Sequence, residues 1–426
     1  MNFLYDKLKK NNLKICVIGL GYVGLPVAIS FSKKYDVIGF DINKLRINQL
    51  KKKVDKNNSI KIKDKRYLKK IKFTFITSDL KSSDIFIITT PTPILKNKKP
   101  DLRLVFKALD LFKKINIKNK FVILESTVYP EASEKEFIPY LERITKMKIN
   151  KDFYFGYSPE RINPGDEKNN FENIDKIISG SDENSLKFLK KLYSTLINKI
   201  HLSPNIKTAE MAKVIENIQR DINIAFVNEV SLICKKFNLD SKDVLNLSET
   251  KWNFLKFKPG LVGGHCIGVD PYYLIDKLLK KKYKPKIILS GRDINEKYPI
   301  DILNLFLKDP TNKNKKKVLL LGITYKANCN DIRNSKSIVI LNKLLSKKYS
   351  VDVFDPFLTS FKIGLKKKYN ILKKMPFKKK YDLIIIAVDH NFFKSININI
   401  LKRMCKNNSS IFDIKNIYPE EKFFRI

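Results

Sequence analysis

Lys14-Ile-Cys-Val-Ile-Gly19-Leu-Gly-Tyr-Val-Gly24 is the stretch of sequence that decides the fold. Its apolar beginning is typical of a buried parallel strand, and its end is a Gly-x-Gly-x-x-Gly turn that precedes a helix-compatible run. Such glycines let the backbone turn tightly and approach a pyrophosphate, which then lies on the helix N-terminus. The alternative is a glycine-rich turn that only packs a helix against a strand.

Asp41 ends the second apolar run, Val37–Asp41, and lies twenty residues after Gly21. An acid at this position accepts hydrogen bonds from the adenosine ribose hydroxyls. The pattern therefore predicts a dinucleotide site formed by Gly19, Gly21, Tyr22, Val23, Gly24 and Asp41. Because a carboxylate repels a 2′-phosphate, NAD is favoured over NADP. Arg46 is the nearby residue that would accommodate such a phosphate instead, and we include it in the cofactor site.

Further strands follow with the rhythm of a parallel sheet. Ile85–Thr89 and Phe121–Glu125 are short apolar runs separated by stretches with helical spacing. After a Lys- and Asn-rich linker at residues 308–316, similar runs return at Val318–Gly322, Val351–Asp355, Leu383–Val388 and Ser410–Ile414. The second half lacks a complete Gly-x-Gly-x-x-Gly, so we expect it to contact a ligand without repeating the first dinucleotide site.

A long amphipathic helix separates the two halves. From Thr208 to Phe237 apolar residues recur at intervals of three and four, with no Pro or Gly. The predicted fold class is α/β, with two Rossmann-like doubly wound domains joined by this central helix. The predicted domains are an NAD-binding domain at 1–203, a central helical and dimerisation domain at 204–307, and a substrate-binding domain at 308–426. An ordinary core helix is the alternative to a dimerisation helix.

Charge and cysteine content narrow the function classes. The formal net charge is +42, but only ten of the 85 basic residues are Arg and the Lys are spread along the whole chain. This favours compositional bias on solvated faces over a nucleic-acid site. Five scattered Cys and three His form no metal-ligand pattern. With no apolar signal segment at Met1–Lys14, we expect a cytoplasmic protein that neither binds nucleic acid specifically nor enters a membrane.

Two further patterns carry candidate chemistry. Cys266 lies in the glycine-rich stretch 260–271, where a thiol is either a nucleophile or a small buried hydrophobe. Lys213, Asn217 and Arg220 follow each other at steps of four and three, and thus share one helix face. Such a face could stabilise an oxyanion or grip a phosphate, or it could be a solvated polar stripe.

Polar residues also follow the apolar runs, where ligands collect in open parallel sheets. They are Thr90-Pro-Thr92-Pro93, Glu125-Ser-Thr127 and Ser158-Pro-Glu160-Arg161-Ile-Asn-Pro-Gly-Asp166.

Taken together and in order, these motifs resemble the UDP-glucose/GDP-mannose dehydrogenase family from about Lys14 to Ile417. The signatures that carry the resemblance are Gly-Leu-Gly-Tyr-Val-Gly (19–24), Glu-Ser-Thr-Val-Tyr-Pro (125–130), Ser-Pro-Glu-Arg-Ile-Asn-Pro-Gly-Asp (158–166), Ala-Glu-Met-Ala-Lys (209–213) and Gly-Gly-His-Cys-Ile-Gly-Val-Asp-Pro-Tyr-Tyr (263–273). The signature at 263–273 is similar to that of the UDP-N-acetylhexosamine branch of the family. The sequence departs from the family at Glu131, where relatives usually have Gly, at Lys258 in place of Arg, and at Asn416 in place of Gly.

The resemblance implies a four-electron oxidation of a sugar C6 alcohol to a carboxylate for surface polysaccharide precursors, with two NAD and one water consumed. It implies that Cys266 forms a thiohemiacetal and then a thioester. Lys213 and Asn217 would stabilise oxyanions, Asp270 and Thr127 would hold the catalytic water, and Glu160 would be the base for hydrolysis. It further implies cofactor contacts by Thr90, Thr92, Thr127 and Arg333, and substrate contacts by Glu160, Arg161, Lys213, Asn217, Arg220, Lys258, Gly263, Tyr325 and Lys326.

The resemblance also implies a homodimer or higher homo-oligomer. From the resemblance we expect UDP-N-acetylglucosamine or UDP-N-acetylgalactosamine as the substrate, with UDP-glucose or UDP-N-acetylmannosamine as alternatives within the family. A single-step hydroxyacid dehydrogenase is a further alternative. Such an enzyme would have no need of Cys266 or Glu160. A basic nucleic-acid-binding protein without catalysis is the alternative from another class, supported by the charge alone.

Overall fold

The structure is a computed structural model that describes residues 1–55, 60, 62–162, 171–312, 315–358, 369–421 and 423–424. Parts of two predicted segments lie outside the described residues: the end of the 158–166 motif and the centre of the 308–316 linker. The chain divides into two compact units. Unit 1 comprises Met1–Glu216 and Tyr272–Tyr283, and unit 2 comprises Asn217–Pro271 and Lys284–Ile426.

Unit 1 is built on an eight-stranded sheet. Its strands are β1 (Lys14–Ile18), β2 (Asp36–Phe40), β3 (Ile71–Thr74), β4 (Ile85–Ile88), β5 (Phe121–Leu124), β6 (Tyr154–Tyr157), β7 (Lys176–Gly180) and β8 (Ile200–Leu202). They lie in the order β3-β2-β1-β4-β5-β6-β7-β8. All neighbours are parallel except β6 and β7, which pair antiparallel through Gly156 with Gly180 and Tyr157 with Ser179.

Helices connect these strands and cover the sheet. They are α1 (Asn2–Lys9), α2 (Gly24–Phe31), α3 (Lys44–Lys51), α4 (Arg103–Leu109), α5 (Ile138–Thr145) and α6 (Glu183–Ser194), with 3-10 turns at Ile62–Lys70, Thr77–Ser82 and Asp110–Lys113 and a π turn at Ser133–Phe137. A core formed by α1, α2 and α6 against the strands contains Phe31, Phe121 and Phe188. Since β1, β4 and β5 are buried along nearly their whole length, they read as continuous apolar runs.

The long helix α7 (Ile206–Lys236) begins in unit 1 and ends in unit 2. It is followed by α8 (Ser241–Ser248), α9 (Asp270–Lys280) and α10 (Lys286–Lys308). The prediction of a helix from Thr208 to Phe237 is therefore correct to within two residues. Its 31 residues correspond to about 45 Å.

The second sheet contains β9 (Lys317–Leu321), β10 (Ser350–Phe354), β11 (Asn370–Leu372), β12 (Tyr381–Ile386) and β13 (Cys405–Asp413), in the order β11-β10-β9-β12-β13. The helices of this part are α11 (Lys336–Ser346), α12 (Asn391–Lys394) and α13 (Ile398–Arg403). Val318 and Leu320 pack on the α10 and α11 side, whereas Leu319 and Leu321 pack on the α12 and α13 side. This alternation is that of a sheet covered by helices on both faces.

The predicted fold class is confirmed: both sheets follow the doubly wound order around a central first strand. The antiparallel strand β7 was not predicted, because Lys176-Ile-Ile-Ser-Gly180 is too short to show its direction. In the described part of the chain, no helix combines the length and apolar character needed to cross a bilayer.

Candidate active site

The glycine-rich loop in unit 1 has the shape that the sequence predicts. Gly19 follows β1 with φ +97°, a conformation that glycine adopts without strain. A Cβ on Gly24 would lie 1.7 Å from the Gly19 carbonyl oxygen and 2.4 Å from Oγ1 of Thr89, so only glycine fits the start of α2. A Cβ on Gly21 would meet no atom within 4 Å among the described residues. The backbone at Gly21 is thus open to a ligand.

Asp41 and Arg46 both hold this loop at Leu20, one through its N–H and the other through its carbonyl. One carboxylate oxygen of Asp41 accepts a hydrogen bond from the Leu20 N–H at 2.9 Å, and the other accepts from the Asn43 N–H at 2.8 Å. Arg46 is 6% exposed; its Nε donates to the Leu20 carbonyl at 2.9 Å and a terminal nitrogen donates to Asp55 at 2.8 Å. The buried guanidinium thus ties the loop to Asp55.

The predicted threonines lie at the ends of neighbouring strands. Thr90 and Thr92 follow β4, and the half-buried Thr127 follows β5. Ser126 donates to the Thr90 carbonyl at 2.7 Å, and the Tyr273 hydroxyl donates to the Thr92 carbonyl at 2.8 Å. The Oγ1 of Thr90 is buried and has no hydrogen-bond partner among the described residues. An open glycine loop, an acid after β2 and this unmatched hydroxyl together fit a dinucleotide.

Glu160 is held on both carboxylate oxygens. Oε1 accepts the N–H groups of Arg161 and Ile162 at 2.7 and 2.6 Å, and Oε2 accepts from Nζ of Lys176 at 3.3 Å. The Arg161 side chain forms an ion pair with Glu216 on α7 and donates to the Asp175 carbonyl at 2.9 Å. Two predicted ligands, Glu160 and Arg161, are therefore already oriented by other groups of unit 1.

Lys213 lies on α7 within unit 1 and is 6% exposed. Asn217 and Arg220 follow on the same helix, so the three side chains leave one side of α7 by helical periodicity. Arg220 is exposed, whereas Asn217 is half-buried. The solvated-stripe alternative does not describe Lys213, because an exposed stripe would leave its side chain in solvent.

Cys266 is exposed on the loop that precedes α9, and none of the five cysteines lies in a disulfide. Its carbonyl accepts the N–H groups of Val269 at 3.0 Å and Asp270 at 2.8 Å, which folds the loop into the first turn of α9. Asp270 is buried and accepts a hydrogen bond from the side-chain amide of Asn217. The alternative of a small buried hydrophobe is therefore wrong for Cys266.

The Gly-Gly pair before Cys266 packs tightly within unit 2. Gly264 has φ +87°, and a Cβ there would lie 2.6 Å from the ring of Tyr325. A Cβ on Gly263 would lie 2.8 Å from the Asn334 carbonyl oxygen. Tyr325, a predicted substrate ligand, thus touches the backbone of the cysteine loop. Lys258 is exposed, and Lys326 is half-buried.

His265 and Arg333 share one carboxylate. Nε2 of His265 lies 2.8 Å from Oδ2 of Asp331, and Arg333 contacts the same oxygen at 2.6 Å. Burial raises the pKa of Asp331, but hydrogen bonds from His265 and Arg333 outweigh burial and hold the pKa well below its ordinary value. Arg333, which the resemblance implies near the cofactor, is therefore anchored to Asp331.

The second Rossmann-like half repeats the backbone of the first without its glycine loop. Gly322 has φ +86°, and Asp355 accepts the Ile323 N–H at 2.8 Å, as Asp41 does for Leu20. Here the acid is also 3.1 Å from Nε2 of the fully buried His390. Asp355 is thus enclosed within unit 2.

Comparison with known families covers most of the chain. Residues 13–197 match the NAD binding domain of the UDP-glucose/GDP-mannose dehydrogenase family, 207–297 its central domain and 319–420 its UDP binding domain. The chain belongs to this family. The predicted resemblance and the NAD cofactor are thereby confirmed, and the chain is an NAD-dependent nucleotide-sugar dehydrogenase with a UDP-binding domain.

Individual relatives of the dehydrogenase span its whole length. UDP-N-acetyl-D-glucosamine 6-dehydrogenase from Pseudomonas aeruginosa is 42% identical, with 96% of this chain and 98% of the relative covered. Protein CapL from Staphylococcus aureus is 44% identical, with 96% and 97% covered. The solved UDP-D-ManNAc dehydrogenase from Pyrococcus horikoshii superposes with a TM-score of 0.86 at 32% identity, covering 97% and 98%.

Sequence reasoning missed three groups of this dehydrogenase that contact predicted site residues or the segments that carry them. Lys176 contacts Glu160, His265 precedes Cys266 and contacts Asp331, and Asn228 binds the backbone of Gly260 in the cysteine loop. A lysine that opens an apolar β-branched run was the available signal for Lys176. Nothing local distinguishes Asn228 from the other polar residues of α7.

Proposed function

We propose that this dehydrogenase oxidises the C6 alcohol of a UDP-N-acetylhexosamine to the uronate for surface polysaccharide precursors, with UDP-N-acetylglucosamine as the first candidate and UDP-N-acetylgalactosamine as the second. The observation that carries the proposal is the position of Cys266. Its thiol is exposed on a loop joined by backbone hydrogen bonds to Asp270, which in turn holds Asn217. The names of the relatives at 42% identity support the N-acetylglucosamine substrate.

In this proposal Cys266 keeps the intermediate bound to the enzyme. The thiolate forms a C–S bond to the C6 aldehyde, which gives a thiohemiacetal, and the second oxidation converts it to a thioester. Water then forms a bond to the carbonyl carbon as the C–S bond breaks, and the uronate is released. When bound, NAD accepts a hydride from C6 in each oxidation, so two NAD and one water are consumed per sugar.

The other predicted residues supply protons and charge. Lys213 and Asn217, one helical turn apart on α7, stabilise the oxyanions that form at C6. Glu160 accepts a proton from the attacking water, and Thr127 and Asp270 orient that water. Because alcohol oxidation also releases a proton, the buried Lys213 side chain would act there as acid or base: as the neutral amine it takes up that proton, and as the ammonium it stabilises the oxyanion.

The remaining predicted residues bind either the cofactor or the nucleotide sugar. We propose that NAD is held by Gly19, Gly21, Tyr22, Val23, Gly24, Asp41, Thr90 and Thr92. Arg46 supports the glycine loop of this site, and Arg333, which is paired with Asp331, also contacts NAD. We propose that Arg161, Arg220, Lys258, Gly263, Tyr325 and Lys326 contact the nucleotide sugar. Arg and Lys donors suit its diphosphate.

We also propose a cytoplasmic homodimer or higher homo-oligomer that associates through α7. Ile215, Phe226 and Ile233 are exposed on α7, at spacings of eleven and seven that place them on one side of the helix, and the exposed Phe237 directly follows its last residue. Exposed apolar stripes of this kind mark association surfaces. Five cysteines without a disulfide suit a reducing compartment.

The decisive experiment counts NADH formed per UDP-N-acetylglucosamine consumed when the sugar is limiting. Wild type, Cys266→Ser and the matched control Cys405→Ser would be compared, since Cys405 is a half-buried cysteine outside the predicted site. We expect two NADH per sugar for wild type and control, and no complete turnover for Cys266→Ser. One NADH per sugar with an active Cys266→Ser would instead establish a single-step alcohol dehydrogenase.

Substrate choice is tested by exchanging the sugar. UDP-N-acetylglucosamine, UDP-N-acetylgalactosamine, UDP-N-acetylmannosamine and UDP-glucose would be compared by kcat/KM under identical conditions. A preference of at least tenfold for one of the first two supports the proposal. A preference for UDP-glucose or UDP-N-acetylmannosamine overturns the substrate assignment but leaves the mechanism intact.

A further inference from the structure

Lys176 is a cation that unit 1 encloses almost completely. It is the first residue of β7 and is only 1% exposed. An ammonium group loses its hydration when it is buried, and it stays charged only where anionic or aromatic groups replace the water. The partners of Lys176 therefore indicate what the charge is used for.

Two carboxylates meet this ammonium group. Nζ of Lys176 lies 3.1 Å from Oε2 of Glu125 and 3.3 Å from Oε2 of Glu160. The Tyr193 hydroxyl donates to the other oxygen of Glu125 at 2.5 Å. The rings of Phe171 and Tyr193 lie 5.0 and 5.6 Å from Nζ. Among the described residues, these are the charged, titratable and aromatic groups that face Lys176.

The direction of β7 brings the three groups together. Glu125 directly follows β5, and Glu160 lies three residues after β6. These two strands are parallel, so both carboxylates are at the same edge of the sheet. Because β7 runs antiparallel to β6, its first residue rather than its last lies at that edge. A lysine at the start of β7 is thus the residue that reaches both.

The charges of this cluster do not cancel when all three groups are ionised. Two carboxylates and one ammonium leave one negative charge, and a single proton on either carboxylate neutralises the cluster. Burial raises the pKa of Glu125 to about 7, with Lys176 opposing the shift and Glu160 adding to it. Two backbone N–H groups hold Glu160 in addition.

We propose that Lys176 is a positioning residue for thioester hydrolysis: its ammonium group, shared by the carboxylates of Glu125 and Glu160, holds Glu160 in the orientation in which it accepts a proton from water. This inference rests on the proposed role of Glu160. In the hydrolysis step the water oxygen bonds to the thioester carbon and the bond to Sγ of Cys266 breaks. One water proton passes to Glu160, the other leaves with the carboxylic acid product, and Cys266 departs as a thiolate.

The proposal requires that removing the ammonium slows hydrolysis selectively. We expect Lys176→Met to lower kcat at pH 7 at least tenfold, while the first two NADH per site still form in a rapid burst. Intact-mass measurement after acid quenching should then show an acyl group on Cys266 that wild type does not accumulate. Lys176→Arg should recover part of the rate, and Lys199→Met, an exposed lysine on the neighbouring segment, should behave as wild type.

A second pair of variants gives shifts in opposite directions. The acidic limb of the kcat profile of Lys176→Met should move up by at least one pH unit, because a cluster of two buried carboxylates without its cation holds negative charge less readily. In Glu125→Gln the Lys176 ammonium faces one carboxylate instead of two, so the acidic limb of the kcat profile should move to lower pH. Glu125→Gln is nearly isosteric and keeps the assay available if Lys176→Met fails to fold.

The outcomes separate this inference from the proposed function. If wild type forms two NADH per sugar but Lys176→Met accumulates no acyl-enzyme and neither variant moves the acidic limb, Lys176 is only structural and the inference is overturned. If wild type forms one NADH per sugar, or Cys266→Ser completes turnover, the proposed function itself fails.

Discussion

The side-chain amide of Asn228 binds the backbone of Gly260 on both sides, as another peptide strand would. Its nitrogen donates to the Gly260 carbonyl at 3.1 Å, and its oxygen accepts the Gly260 N–H at 2.8 Å. Asn228 is fully buried, and its nitrogen also donates to the side chain of Asn295 at 2.8 Å. This contact fixes the start of the cysteine loop to α7.

Asn228→Ala should loosen the cysteine loop and destabilise unit 2. The half-buried backbone of Gly260 and the buried side chain of Asn295 would lose their partner, which costs about 1–3 kcal/mol. We expect kcat/KM for the UDP-sugar to fall at least tenfold, because Cys266 depends on this loop for its position. Chemical denaturation and steady-state kinetics measure both effects. The half-buried Asn223 on the same helix provides the control; an Asn223→Ala variant as impaired as Asn228→Ala would contradict a specific role for the clamp.

Two glycines of the cofactor loop should respond differently to alanine. Gly24→Ala places a methyl group 1.7 Å from a backbone oxygen, so the loop must shift, and we expect about 3 kcal/mol of destabilisation. Gly21→Ala meets open space, so its unfolding midpoint should equal that of wild type. Its KM for NAD should nevertheless rise at least tenfold, since the added methyl stands where the pyrophosphate approaches. An unchanged KM would show that the cofactor does not approach Gly21.

Glu131 combines an unfavourable backbone conformation with a favourable charge position. Its φ is +77°, which costs a residue with a Cβ about 1 kcal/mol. Its carboxylate lies within 4 Å of Lys135, Lys277 and Lys281, and the hydrogen bond from Lys135 is the main reason that its pKa is lowered to about 2. Of the variants Glu131→Gly and Glu131→Ala, only the glycine relieves the backbone strain, whereas both remove the ion pairs.

We therefore expect Glu131→Gly to be more stable than Glu131→Ala by about 1 kcal/mol. Relative to wild type, the loss of the ion pairs should matter less at high salt, where exposed lysines are screened. Denaturant unfolding at low and high ionic strength checks both statements. At Glu134, in the following π turn, Glu134→Ala should instead be more stable than Glu134→Gly, because alanine suits a helical backbone. Equal stability of the two Glu131 variants would contradict backbone strain at this position.

Glu210 should make stability depend on pH. It is buried on α7, accepts the N–H groups of Glu131 and Ser133, and burial raises its pKa to about 7. Between its ordinary pKa and about 7, the folded protein binds more protons at this group than the unfolded chain does, so its contribution to stability falls as the pH rises. Below that window the contribution is complete.

Glu210→Gln removes this dependence. We expect the difference in unfolding free energy between Glu210→Gln and wild type to shift in favour of the variant by about 2 kcal/mol from pH 5 to pH 8. Denaturant unfolding at several pH values measures it, with the exposed Glu229→Gln on α7 as control. A constant difference across the pH range would mean that Glu210 stays ionised in the fold.

Local patterns accounted for most of the architecture. The predicted strands of both sheets lie within a few residues of β1, β2, β4, β5, β9, β10, β12 and β13, and the glycine loop and Asp41 have the predicted relation. Each of these features depends on neighbours in sequence or on one strand–turn–helix step. The strands that were not assigned are β3, β6, β7 and β8 of the first sheet and β11 of the second. They are three to five residues long, and each carries a polar residue or a glycine.

The sequence by itself determined the fold class, the cofactor loop and the family, because short-range geometry and fixed motif spacing carry that information. The tertiary structure alone decided how Arg46 is used, which cation faces Glu160, and which side chain holds Gly260. These pairings join segments that are distant in the chain, and the antiparallel direction of β7 selects the one at Glu160. Burial then turns them into strong electrostatic constraints, because water no longer competes for the charges.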